Sequence, residues 1–102
     1  MDMKQMMRQA QKMQAELAKA QDEINDMTAE ATAGGGMVSA VARGDMSIES
    51  ITIDKDALDP EDVEMLQDTI VAAVNEALRA VSAKGSARMG SVTGNIKIPG
   101  LM

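Results

Sequence analysis

Two apolar series recur every seven residues near the N-terminus, and this repeat limits the fold more than any other feature of the sequence. The positions are Met6, Met13, Ala20 and Met27, together with Met3, Ala10, Leu17, Ile24 and Ala31. Such a repeat is typical of a helix that packs in a coiled coil or bundle. No Gly or Pro interrupts it before Gly34-Gly35-Gly36. The sequence therefore predicts a projecting helix over residues 1–31, about 42 Å long, with Met6, Met13 and Met27 buried.

Three further segments follow, and together they predict an α+β fold in one domain, residues 1–102. Runs of β-branched and small residues predict a hairpin or small three-stranded antiparallel sheet over 37–54, with a two-residue turn at Gly44-Asp45. The apolar alternation changes phase near Glu49-Ser50, which predicts a β-bulge or a strand break there. Asp59-Pro60 marks the start of an amphipathic core helix over 60–84. Residues 85–102 are expected to form a flexible tail.

The composition excludes most kinds of catalytic and metal site. The chain has no His, Cys, Trp, Tyr or Phe, so it offers no zinc finger, thiolate nucleophile or His-containing triad, and no aromatic platform for bases. We expect no enzyme activity, no metal and no cofactor. No apolar run approaches the roughly 20 residues that span a bilayer, and a cytoplasmic protein is expected. A core made mostly of Ala and Met is small, which favours a homodimer.

Basic residues of the first helix form the most informative pattern. At about 100° per residue they share one narrow stripe, almost opposite the apolar residues. They are Lys4, Arg8, Lys12 and Lys19. Acids then follow from Asp22 to Glu30, so the charge order opposes the helix dipole, which favours acids first. Because this separation of basic from acidic residues lowers the stability of the helix, it indicates that the basic stripe has a function. Phosphate groups are the natural ligand of such a stripe.

Because the net charge is −6, phosphate binding is expected only at a small cationic surface. Its affinity for phosphates should fall steeply as the salt concentration rises. Arg79 and Lys84 are candidates for additional phosphate contacts. A different class of function stays open, in which the Met-rich N-terminal helix docks an unidentified protein partner.

The order and spacing of several short segments resemble the YbaB/EbfC family of nucleoid-associated proteins. The segments are Met6 to Gln14, Gly34 to Val38, Ile51 to Asp54, Leu66 to Leu78 and Ile98-Pro99-Gly100. The resemblance implies a tweezer-shaped homodimer whose long N-terminal helices are the two arms. It also implies a location in the nucleoid and binding of double-stranded DNA with little sequence preference. Carried over by position, it indicates Lys4, Arg8 and Lys12 first, then Arg79 and Lys84.

Overall fold

The computed structural model describes residues 2–94 and contains two long helices and one antiparallel sheet. In chain order the elements are α1 (Met3–Asp26), β1 (Thr28–Ala33), β2 (Val38–Arg43), β3 (Ile48–Ile53), a 3-10 turn (Lys55–Ala57) and α2 (Val63–Gly94). The strands lie in the order β1-β2-β3, with antiparallel pairing throughout. The predicted α+β class is therefore confirmed.

The first helix is shorter than the sequence predicts. It ends at Asp26, and Met27 already has an extended backbone (φ −65°, ψ 149°). Residues 28–33 form β1 and pair with β2 instead of continuing the helix. Alanines 29, 31 and 33 are half-buried and alternate with exposed residues, so pairing and burial outweigh the helix propensity of this Ala-rich stretch. The predicted helix over 1–31 is therefore wrong for residues 27–31.

The hairpin between β2 and β3 has the predicted position but a different turn. Met46, not Gly44, has a positive φ of 68°, and its N–H donates to the Arg43 carbonyl. This is a three-residue connection, not the predicted two-residue one. The bulge is confirmed, because Val41 pairs with Ser50 while Ala42 pairs with Ile48, which leaves Glu49 as the extra residue.

The second helix starts later and ends later than the sequence predicts. Asp62, not Asp59, accepts a hydrogen bond from the third helical N–H, that of Met65 (3.2 Å), and so caps a helix that begins at Val63. The helix continues through Gly85 to Gly94, so residues 85–94 are helical and not a flexible tail. Residues 95–102 lie outside the described part of the chain.

The core lies between α2 and the sheet and is built from small side chains. Its members are Val38, Ala40, Ala42, Ala73, Ala77 and Val81. Val38 and Val81 are the largest fully buried side chains in the described residues. Small side chains allow the helix and the sheet to approach closely but bury little apolar area. The core of one copy is accordingly thin for a chain of this length.

Candidate nucleic-acid interface

The first half of α1 extends beyond the rest of the molecule. All of residues 3–16 are exposed except Met13, which is half-buried. Burial begins lower in the helix, at Ala20 and Ile24, which are 1% and 8% exposed. The molecule is 72 Å long with a radius of gyration of 20.2 Å, against about 13 Å for a compact chain of this length. We call residues 3–16 the arm; at 1.5 Å per residue it is about 21 Å long.

Contacts with α2 and β2 fix the base of the arm. Ile24 packs against Gly85 so closely that a Cβ on this glycine would lie 2.9 Å from the Ile24 Cγ2. One residue earlier, the Glu23 carboxylate accepts from the Arg88 guanidinium at 2.9 Å. From the first contact to the second, the residue number increases in α2 and decreases in α1, so the two helices run antiparallel here. The Asp26 carboxylate pairs with Arg43 of β2 at 3.2 Å, so the last two turns of α1 are held from two sides.

Three predicted cations lie on the arm and share one face of it. Lys4, Arg8 and Lys12 are all exposed and follow one another every four residues, so adjacent members are neighbours about 6 Å apart along the helix. Among residues 2–94, no carboxylate lies within ion-pair distance of any of them. Their ammonium and guanidinium groups are therefore available to an external anion.

The other three predicted cations lie elsewhere. Lys19 is exposed on α1 below the arm. Arg79 donates to Glu76 at 2.7 Å, and the Lys84 Nζ donates to the Thr28 carbonyl at 2.9 Å. Since Lys84 lies beside residue 28, it is about 36 Å along the α1 direction from Lys4. The fold thus brings the three arm cations together and leaves Arg79 and Lys84 far from them.

Acidic residues dominate the opposite end of the molecule. Between Asp54 and Asp68 there are seven carboxylates and one lysine, and this acidic segment adjoins the Gly34–Gly36 turn. Because β1 runs from the α1 junction toward that turn, the turn and the arm lie at opposite ends. The charges of the described residues are therefore separated along the molecule, with unpaired cations on the arm and carboxylates at the other end.

The methionines of the arm are exposed, as the alternative of a partner-binding Met-rich helix requires. Met3, Met6 and Met7 are 78%, 57% and 58% exposed, although Met6 belongs to the seven-residue repeat and was predicted to be buried. The repeat is covered only where α2 runs beside it, as at Ala20 and Ile24. A heptad repeat identifies the apolar side of a helix but does not show how far along the helix a partner extends.

Comparison with known proteins places this geometry in a family. The sequence profile of the YbaB/EbfC DNA-binding family matches residues 1–96. The chain belongs to that family. This confirms the resemblance found in the sequence segments, and the match covers all the described elements. None of the helices in residues 2–94 is long and apolar enough to cross a membrane.

Relatives in this family are similar over nearly their whole length. A nucleoid-associated protein of Pelotomaculum thermopropionicum is 56% identical over 100 residues, covering 98% of this chain and 95% of the relative. One from Desulforamulus reducens is 52% identical with the same coverage. The crystal structure of an uncharacterized protein from Helicobacter pylori matches with a TM-score of 0.74 at 26% identity, covering 92% of this chain and 99% of that one.

Proposed function

We propose that the protein is a nucleoid-associated, homodimeric DNA-binding protein whose arm cations contact backbone phosphates with little sequence preference. The family and the names of its relatives support the DNA-binding, nucleoid-associated part. The contact itself rests on one observation, which is the set of three unpaired cations on the arm, at the opposite end from the acidic segment. Their spacing of about 6 Å along the helix suits successive phosphates of one strand.

The arm supplies charge but little base recognition. Lys and Arg bind phosphate oxygens without regard to sequence, and the chain has no aromatic side chain to stack on a base. With three phosphate contacts per copy and two copies, the logarithm of the binding constant should fall with the logarithm of the salt concentration with a slope of about −5. Arg79 and Lys84 would add little, because each already has a partner within the fold.

An apolar face beside the sheet supports the dimer. The helix α2 covers β1 and β2 but leaves the same side of β3 open, so Ile51 and Ile53 are 43% and 36% exposed. Val71 of α2 is 57% exposed, and Leu78 lines a shallow depression together with Met46. Apolar patches of this kind on a small core mark an association surface. A second copy that covers this face would supply the burial that one copy lacks.

Titration of a labelled duplex of mixed sequence, followed by fluorescence anisotropy, tests the phosphate contacts. The wild type should show the steep salt dependence, and Lys4→Gln with Arg8→Gln should weaken binding and make the slope shallower by about 3.6 per dimer. The matched control is Lys55→Gln with Arg79→Gln, which removes the same charge away from the arm and should bind like the wild type. Equal losses in the two double variants would show that net charge, and not the arm, controls binding.

Sedimentation velocity tests the dimer. Ile51→Lys places a charge on the apolar face and should convert the dimer to a monomer. Thr52→Lys introduces the same charge on the opposite side of the same strand, since neighbouring strand residues face opposite ways, and should leave the dimer intact. A wild-type protein with the mass of a monomer would contradict this part of the proposal.

The exposed arm methionines favour a second candidate, a protein partner that binds the arm. Replacing Met3, Met6 and Met7 by Gln keeps helix propensity and removes only the apolar surface. Duplex binding that survives this change, but not loss of the cations, assigns the arm to DNA. The absence of duplex binding by the wild type at low salt would favour the protein partner.

A further inference from the structure

A partly enclosed groove lies at the end of the molecule opposite the arm. It is bounded by the Gly34–Gly36 turn, the 3-10 turn and the first turns of α2, and its volume is about 240 Å³. We call it the end groove. Small-molecule pockets usually measure about 300–1,000 Å³, so the end groove is of a size for one or two protein side chains.

The lining of the end groove combines an apolar floor with an acidic rim. The floor is formed by Met37, Ala57, Met65 and Leu66. The rim is formed by Asp56, Asp59 and Asp62. Met65 is 65% exposed, and thioether side chains adapt their shape to a variety of apolar partners. Such a surface suits an apolar side chain that is followed on the same helix face by a cation.

The tip of the arm, residues 3–8, carries that combination. Met3 and Met7 are one turn apart and exposed, and Lys4 lies three residues before Met7, so these two side chains are neighbours on the helix surface. The tip is the part of α1 farthest from α2. Within residues 2–94, Lys4 and Arg8 have no acidic partner.

We propose that the tip of α1 docks into the end groove of a second copy of the chain, with methionine side chains on the floor and Lys4 and Arg8 toward the acidic rim. The two surfaces lie at opposite ends of a molecule 72 Å long, so one copy cannot join its own tip to its own groove. A contact between two different surfaces does not close on itself unless the rotation happens to close a ring. Head-to-tail chains of copies are the expected product.

This contact does not depend on the DNA-binding proposal, although it uses two of the same cations. A tip occupied by the groove of another copy is not free for phosphate, and a tip on DNA is not free for a groove. Duplex DNA and the acidic end are therefore competitors for the arm. Sedimentation of the protein alone involves no DNA, so a failure of this contact and a failure of DNA binding are separate results.

Sedimentation velocity of the full chain over a concentration series, at low and at high salt, tests the proposal. The wild type should form species larger than a dimer at low salt, growing with concentration and disappearing at high salt. Lys4→Glu reverses a charge at the tip, and Asp56→Lys reverses a charge on the rim. Because the Asp56 side chain makes no hydrogen bond within the described residues, its replacement removes no contact of the fold. Because each exchanges an exposed attraction for a repulsion, association should weaken about tenfold in either variant.

Matched controls and a mixture separate the docking contact from general charge effects. Lys19→Glu is the control for Lys4→Glu, and Glu61→Lys is the control for Asp56→Lys, because each control changes the net charge by the same amount. Lys19 is not at the tip and Glu61 does not line the groove. Both control variants should therefore assemble normally. Mixing the Lys4→Glu protein with the Asp56→Lys protein should restore large species, because each tip then meets a groove of opposite charge. Wild-type protein that stays at dimer mass or below at low salt, a mixture that does not assemble, or controls as impaired as the test variants would each overturn the proposal.

Discussion

Replacing Gly85 by Ala tests how the base of the arm is held. Gly85 lies inside α2, and its missing side chain leaves room for Ile24 of α1. An added Cβ would lie 2.9 Å from the Ile24 Cγ2, whereas ordinary contacts between such atoms lie between 3.4 and 4 Å. Either the Ile24 side chain or the whole of α1 must therefore move by at least half an ångström.

Gly90 provides the reference for this substitution, since it lies five residues further along the same helix and a Cβ there meets nothing within 4 Å. Gly90→Ala should raise the free energy of unfolding by about 1 kcal/mol, the ordinary gain in helix propensity. Gly85→Ala has the same gain, but overpacking of this kind costs about 1–3 kcal/mol. The difference between the two variants is the cost of the junction, about 1–3 kcal/mol, with Gly85→Ala between neutral and 2 kcal/mol less stable than the wild type.

Urea unfolding of the three proteins at one concentration, followed by circular dichroism at 222 nm, measures this difference. The protein concentration is kept constant because association stabilises the folded state. A second substitution, Ile24→Ala, removes the Cγ2 methyl that meets the added Cβ, so Gly85→Ala should cost less in the Ile24→Ala background than in the wild type. If Gly85→Ala stabilises the protein as much as Gly90→Ala does, the close packing of α1 on α2 is not what fixes the arm.

Three further predictions concern the turns and the cap. Gly44→Ala should cost more than about 3 kcal/mol in urea unfolding, because a Cβ there would overlap the Ile24 carbonyl oxygen; a smaller loss would mean that the junction can shift. Hydrogen bonds from the Ser47 hydroxyl and N–H lower the pKa of Asp45, so its carboxylate favours the folded state above the pKa of the unfolded chain and loses that effect as the pH falls through the folded pKa. Carboxyl NMR titration should show this lowered pKa and its return toward the ordinary value in Ser47→Ala. Asp62→Ala should cost about 1 kcal/mol and Asp62→Asn only a few tenths, and equal losses would exclude a capping role.

The parts of the fold that sequence patterns predicted are those fixed by local chemistry. The phase change near Glu49 required an extra residue in β3, because strand side chains alternate strictly between two faces. The three glycines after β1 all adopt positive φ, between 65° and 91°, where glycine alone has no steric cost. In both places a short stretch of sequence leaves few conformations.

The wrong predictions fall where tertiary contacts decide. Thr28 and Thr32 alternate with alanines, which is a strand pattern, but Ala31 also continues the heptad, and the helical reading accounted for it equally well. Pairing with β2, whose partner residues lie between 5 and 15 positions later in the sequence, makes this segment a strand. Gly85 was read as a helix end, whereas it is a packing position inside α2. Its role depends on Ile24, which only the folded chain brings beside it.

The candidate interface shows the same division between local and tertiary information. The stripe of Lys4, Arg8 and Lys12 follows from helical periodicity alone, and the fold preserves it. Its exposure is instead a tertiary property, because it depends on how far along α1 the antiparallel partner extends. The charge order against the helix dipole then has a physical reason. Acids near the N-terminus would favour the helix by about 0.3–1 kcal/mol each, but under the proposed function they would repel phosphate at the arm, which lies opposite the acidic segment.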